Sequence, residues 1–279
     1  MVFKVVKYWG IKEIRVTGGE PTLREDWLEI IAALSTLPLK KLAITSNGFF
    51  LEKELVTLKK FNCNHINISL DGLQADKFFK ITAMDSAPVL SCIRRAKELG
   101  FVVKVNTVLL AGINVGINDN GDEDEIDDFI EWGAKNQIEL RFLELIEIGA
   151  ATKIFPTHHF GVEDLLQRIK INWRVEETVY PPTGTAFYLR LRKKRSDDDC
   201  DGRVYQVGII ASRSRPFCAS CDRVRIDQNG IYRSCLMEKK GIYLPSLSER
   251  ELSQLIVKKK KVNVGNDNLE SNHMYEIGG

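Results

Sequence analysis

The sequence predicts an α/β fold built on parallel strands, and three observations support it. Short β-rich runs alternate with helix-length segments through the first half, the pattern that right-handed crossovers between parallel strands produce. One side of each of those runs is polar. After about residue 150 the alternation stops, and short runs follow one another around a strong turn signal.

The strands of the first half are read at 13–18, 41–48, 65–72, 102–110 and 138–145. Between them, 26–37, 51–61, 87–100 and 122–136 carry apolar residues at helical spacing. In the second half, 161–170 reads as a helix. The runs 174–180, 185–192, 203–210 and 223–235 read as a mostly antiparallel β region. Asn229-Gly230 predicts a two-residue type I′ turn. The segment 246–261 reads as a serine-capped helix, with the Lys258–Lys261 run where positive charge suits the dipole. Loops are expected at 112–125 and 193–202, and disorder is the default for 269–279. Two domains follow, 1–150 and 151–279.

The polar side of the strands is informative. Arg15 and Thr17 point opposite to Ile14 and Val16. Asn67, Ser69 and Asp71 oppose Ile66, Ile68 and Leu70. Lys104 and Asn106 oppose Val103 and Val105, and Arg141 opposes Leu140 and Phe142. A parallel sheet covered on both faces would read as continuous apolar runs. Here helices are expected on one face, while the other lines a polar cavity or faces water as an open sheet. Burying unpaired Arg and Lys costs on the order of several kcal/mol each, so a cavity implies an anionic ligand. The turns "VTGGEP" (16–21), "TSNG" (45–48) and "SLDG" (69–72) place polar groups round the carboxyl ends of the strands, the rim where barrel sites lie.

At 279 residues the chain is long enough for one large barrel or two ordinary domains. A net charge of +2 gives no case for nucleic acid. No apolar run approaches the ~20 residues that span a bilayer, and "MVFKVVKYWG" lacks a signal-peptide core. A reducing, cytoplasmic setting is expected, in which clustered thiols bind metal rather than pair. Of the cysteines, only Cys218, Cys221 and Cys235 cluster, as C-x2-C-x13-C. Cys63 and Cys92 read as buried hydrophobes, and Cys200 as incidental. Three thiolates suit a zinc ribbon if a fourth ligand joins, and Cys200, His65 and His273 lack convincing spacing. They also suit an iron–sulfur cluster with one open iron. Arg223 and Arg225, at alternate positions beside them, fit a phosphate-bearing ligand. His158-His159 does not read as a metal pair.

The segments "IRVTGGEPTLR", "LAITSNG", "INISLDGL", "KVNTVLLAGIN", "ELRFLELIEIG" and "FCASCDRVRIDQNGIYRSC", with a terminal Gly-Gly, resemble in order and spacing the GTP 3′,8-cyclase family of radical S-adenosylmethionine enzymes. That family begins molybdenum-cofactor synthesis, and the resemblance covers nearly the whole chain. It implies an incomplete (βα)6 TIM-like barrel, with its first strand missing here, closed by the C-terminal region. It implies that Cys218, Cys221 and Cys235 hold a 4Fe–4S cluster whose open iron meets guanine. Arg15, Thr45, Lys104, Arg141, Arg223, Val224 and Arg225 would bind GTP. Gly19, Ser69 and Ile146 would touch S-adenosylmethionine, Ile146 standing where the family usually has Met. Arg15 and the tail residues Gly278 and Gly279 would serve catalysis. The implied reaction cleaves S-adenosylmethionine reductively at another cluster, removes the ribose 3′ hydrogen of GTP and joins that carbon to C8. An electron-donor protein, hand-off to cyclic pyranopterin monophosphate synthase and a homodimer belong to the same picture. No cysteine precedes Cys63, so the C-x3-C-x2-C ligands of that other cluster are missing here. The chain is therefore expected to be either a truncated cyclase or a non-catalytic nucleotide-binding relative with zinc or iron–sulfur. A peptide-maturing radical enzyme fits less well, because of the arginine pair and the Gly-Gly end.

Overall fold

The computed structural model describes residues 1–116, 124–194, 204–218 and 220–259, with backbone alone at 256–259. Expectations for Cys200, His273, Gly278, Gly279 and the 269–279 tail lie outside the described residues. The element order is α1 (Val2–Trp9), β1 (Glu13–Val16), α2 (Trp27–Ser35), β2 (Lys41–Ser46), α3 (Leu55–Lys60), β3 (His65–Ser69), α4 (Ala75–Thr82), α5 (Ala87–Glu98) and β4 (Val102–Leu109). Then come α6 (Ile126–Lys135), β5 (Glu139–Glu144), α7 (Ala151–His158), α8 (Val162–Asn172), β6 (Trp173–Val179), β7 (Phe187–Lys193) and β8 (Tyr205–Ile210). The chain closes with β9 (Arg225–Ile226), β10 (Ile231–Arg233), β11 (Ile242–Tyr243) and α9 (Glu249–Lys259).

Eight strands form one sheet in the order β1-β2-β3-β4-β5-β8-β7-β6. The first five are parallel neighbours. β8 runs parallel to β5, so it acts as a sixth parallel strand, and only β7 and β6 continue the sheet antiparallel. The antiparallel run expected after residue 150 is thus stitched into the parallel sheet through β8. A separate three-stranded sheet, β11-β10-β9, carries the cysteine hairpin.

Register explains the two faces. Ile14 lies beside Leu42, Ile44 beside Ile66, Ile66 beside Val103, Val105 beside Leu140, and Leu140 beside Val207. These rows meet Ile31, Leu55, Val89, Phe129 and Ile169 of the helices in one buried core. On the other face, Thr45 lies beside Asn67, Asn67 beside Lys104, Asn106 beside Arg141, and Arg141 beside Gly208. The helices cover the apolar face, as the alternation predicts.

Several expectations need correction. Asn229-Gly230 is not a two-residue type I′ turn, which needs positive φ at both positions. Only Gly230 has it, at 79°. Asp227 and Ile231 close a three-residue loop, and the Asp227 carboxylate accepts from Asn229 N and Ile231 N. A carboxylate that caps the loop makes the longer turn favourable. Arg223 precedes β9 rather than sharing a strand with Arg225. Three helices, α1, α4 and α7, lie outside the segments expected to be helical. α4 is started from outside, by Glu125 accepting from Leu73 N and Gln74 N. Gly72 lets that turn close, since a Cβ there would sit 2.7 Å from Phe78 N. α7 contains Pro156, which hides it from a periodicity reading.

A second small core joins α1 to β10 and α9. Val5 and Trp9 of α1 pack with Tyr232, Leu244, Leu252 and Leu255. Trp9 Nε1 donates to Leu252 O at 2.6 Å, and its ring meets Tyr232 edge-on at 5.2 Å. Ser248 and Glu251 form a capping box at the start of α9. The cysteine hairpin is therefore anchored on α1, beside β1. Trp9→Ala is expected to cost about 3–5 kcal/mol, lowering the melting temperature by roughly 10 °C, as calorimetry would measure. A loss below about 1 kcal/mol would contradict this anchoring.

Candidate functional site

The polar face is a cluster of cations around one carboxylate. Glu139, at the start of β5, takes Lys104 Nζ at 2.6 Å on Oε2. Its Oε1 accepts from Arg141 Nε at 2.8 Å and NH2 at 2.6 Å, and from the Tyr188 hydroxyl at 2.9 Å. Arg141 is 7% exposed. Its seat exists because position 208 is glycine: a Cβ there would stand 3.0 Å from Arg141 Cγ. Asn67 Nδ2 donates to Thr45 Oγ1 at 3.1 Å, filling the row between β2 and β4.

Arg15 and Arg223 complete the set. The Arg15 guanidinium is pushed down to about 10, by burial first and then by repulsion from Arg223 and Arg141. Its Nε is buried without a partner. Arg223 is lowered by burial, by Arg225 and by Arg141. Lys104 is lowered by burial and by Arg141, with Glu139 opposing. Cations held this close without matching carboxylates make a field that favours an anion.

The rim above is built by two further carboxylates. Glu20, in the turn after β1, accepts from Thr22 N and Thr22 Oγ1 and from Ser46 Oγ on one oxygen, and from Asn47 N on the other. It ties the first glycine turn to the second. Gly18 stands open, with nothing within 4 Å of a Cβ built there. Gly19 is exposed, and Ser69 and Ile146 are half-buried at the ends of β3 and β5. Asp71 Oδ1 accepts from Val108 N at 2.7 Å, and burial lifts its carboxyl to about 6.

Glu144, at the end of β5, accepts from Arg213 N and Ser214 N at 2.9 Å, from Ser214 Oγ, and from His159 Nε2 at 3.0 Å. Burial opposes its charge, but these donors outweigh it and hold the carboxyl below the usual range. The stability it contributes is present above about pH 4.3 and is lost as pH falls through the lower folded value. Glu144→Gln is expected to destabilise the fold at neutral pH and to flatten the acid-side fall of melting temperature. An unchanged acid slope would contradict that. His158 turns elsewhere, its Nδ1 on Ala111 O at 2.8 Å, so the two histidines do not converge.

The thiols lie beside the cations. Cys218 and Cys221 share one turn, with Cys221 N on Cys218 O at 3.4 Å, and Cys235 follows β10. Cys218 is exposed, and the other two are half-buried. Arg225 faces both Cys221 and Cys235; burial lowers its guanidinium while those thiols pull the other way. Arg225 lies near Cys221 and Cys235, and Arg223 lies near Arg225, Cys221, Arg141 and Arg15. Among the described residues no three His, Cys, Asp or Glu side chains close around a single ion. Zinc needs sulfurs at ~2.3 Å, whereas a cluster spreads its thiolates over a larger body. Two thiols share one turn and the third follows the hairpin strand. Cys63 and Cys92 are fully buried, and burial pushes both thiols up to about 12. Among the described residues no helix is long and apolar enough to cross a membrane.

Glu20, Glu139, Glu144 and Tyr188 escaped the sequence reading. Glu139 was accessible to it, because it stands two residues before Arg141 and so shares its face. Nothing local marks Tyr188, whose place depends on β8 joining β5.

Known proteins resemble this chain in sequence and in fold. Residues 1–119 match the Radical SAM superfamily model, and 138–263 match Molybdenum Cofactor Synthesis C. A GTP 3′,8-cyclase of Synechocystis sp. is 35% identical over 87% of this chain and 69% of its own. The GTP 3′,8-cyclase of Aquifex aeolicus is 33% identical over 89% and 73%, and that of Clostridium perfringens 31% over 97% and 82%. The fold resembles that of Streptococcus suis SuiB, solved bound to its precursor peptide SuiA, with a TM-score of 0.50 and 19% identity over 61% of this chain and 36% of that one. The chain belongs to the GTP 3′,8-cyclase family of radical S-adenosylmethionine enzymes.

Proposed function

We propose that this chain binds GTP on the polar face of its sheet and converts it to 3′,8-cyclo-7,8-dihydro-GTP, the first step of molybdenum-cofactor synthesis. The observation behind this is that Lys104 and Arg141 bond one carboxylate, Glu139, with Arg15 and Arg223 close enough to repel Arg141 and with Arg225 beside Arg223, Cys221 and Cys235. On the family resemblance, the sheet is an incomplete (βα)6 barrel whose lumen holds the nucleotide.

Arg15, Lys104, Arg141 and Arg223 take the triphosphate, with Thr45 and Val224 alongside. Arg225 neutralises the thiolates of Cys218, Cys221 and Cys235, which hold a 4Fe–4S cluster against the guanine. Gly19, Ser69 and Ile146 line the place of S-adenosylmethionine, where an open glycine turn lets backbone groups approach. The bound cofactors supply the radical chemistry. The chain's own part is to fix the ribose 3′ carbon and guanine C8 near each other and to exclude water. Gly278 and Gly279 are assigned to the reacting end on sequence resemblance. Residues 1–150 supply five parallel strands of the sheet, 173–210 add three more, and 218–235 carry the three cysteines. An electron-donor protein and the synthase that takes the product are the partners such a reaction requires.

The test is anaerobic incubation of the reconstituted chain with GTP, S-adenosylmethionine and a reductant. The chain alone is expected to bind GTP; 5′-deoxyadenosine and cyclised GTP are expected once a segment bearing the C-x3-C-x2-C cluster ligands, which this sequence does not carry, is fused ahead of it. GTP binding without 5′-deoxyadenosine from that fusion would overturn the catalytic half of the proposal and leave the binding half.

A further inference from the structure

Among the described residues, Glu139 is the acidic side chain bonded to both Lys104 and Arg141 on this face, and nucleotide contacts alone do not explain it. A carboxylate beside a triphosphate repels it, so the residue needs another reason to be there. Its bonds supply one. Oε1 takes the Nε–NH2 edge of Arg141 and leaves the NH1 side free. Oε2 takes one proton of Lys104 and leaves two. The Tyr188 hydroxyl donates to Glu139 Oε1, and Arg141 NH2 reaches the same hydroxyl at 3.1 Å. Gly208 admits Arg141 to this arrangement.

We propose that Glu139, braced by Tyr188, is a positioning residue: it holds Lys104 charged and Arg141 aimed so that their remaining donors meet the triphosphate. This rests on the reading of the polar face as the GTP site. Without the carboxylate, two cations stand side by side in a half-buried space with nothing between them. Lys104, the one of the two that can lose its proton, then gives way. Around Lys104 stand Lys41 on β2, His65 on β3, and Glu139 and Arg141 on β5. Around Arg141 stand Arg15, Arg223 and Tyr188. Glu139 alone among these supplies negative charge bonded to both.

The experiment is calorimetric titration of the full chain with GTP at pH 7.5 and pH 9.5, for wild type, Glu139→Gln, Glu139→Asp, Tyr188→Phe and Lys104→Met. For Glu139→Gln, the loss of affinity between the two pH values is expected to exceed that of wild type by about tenfold, the size of one charge-assisted contact. Glu139→Asp, which keeps the charge, restores part of it. Tyr188→Phe, which disturbs the fold least, shows a smaller loss in the same direction. Adding Lys104→Met to Glu139→Gln removes the extra pH dependence. A Glu139→Gln or Tyr188→Phe variant whose pH dependence matches wild type overturns the positioning role. Lys104→Met binding GTP as tightly as wild type at both pH values would instead overturn the nucleotide site itself.

Discussion

Arg15→Met is expected to melt higher than the wild-type chain while binding GTP at least tenfold more weakly. The two effects share one cause. Arg15 sits on β1 with its Nε buried and unpartnered, and its guanidinium is pushed down to about 10 by burial, Arg223 and Arg141. A cation whose folded value lies below its unfolded one penalises the folded state at every pH below that folded value. Methionine keeps the stem and removes the charge, so stability should rise by about 1–3 kcal/mol, in line with apolar replacement of buried ions. The same charge is what a triphosphate would meet. A lost charge-assisted bond of about 1.5–3 kcal/mol gives the drop in affinity. Scanning and titration calorimetry read the two sides separately. A variant that melts lower and still binds GTP would assign Arg15 to the fold instead.

Serine at Cys221 or Cys235 is expected to reduce iron from about four per chain to near none after anaerobic reconstitution. The same replacement at Cys63 should leave the iron unchanged. Cys63 is fully buried with its thiol lifted to about 12, so it is no thiolate near neutral pH. Cys221 and Cys235 lie beside the Arg225 guanidinium. Loss of iron should also weaken GTP binding, because the guanine would lose its partner. Stoichiometric zinc in the wild-type chain, or iron retained in both variants, would contradict the assignment.

Much of the fold was legible because period-two alternation survives in each parallel strand. Ile66 and Ile68 point to the helices while Asn67 and Ser69 point away, and register carries that alternation across five strands. The cations of the polar face followed from the same rule. The electrostatic partners did not, because they are long-range. Glu144 gathers Arg213, Ser214 and His159 from segments far along the chain. Tyr188 reaches Glu139 only once β8 has paired with β5 and brought β7 beside it. The three-residue hairpin loop at Gln228–Gly230 was missed because the Asn-Gly signal is local, whereas the Asp227 cap that decides the turn lies just outside it. α4 was hidden for a similar reason: Glu125, about fifty residues on, supplies its cap.

The most direct measurement is the GTP affinity of the reconstituted chain with Arg15 and Arg223 replaced together, read by titration calorimetry and by competition with inorganic triphosphate. The account predicts a single nucleotide displaced by triphosphate in the wild type, and loss of that binding in the double variant with the fold intact. Undiminished GTP affinity without those two guanidiniums would contradict it.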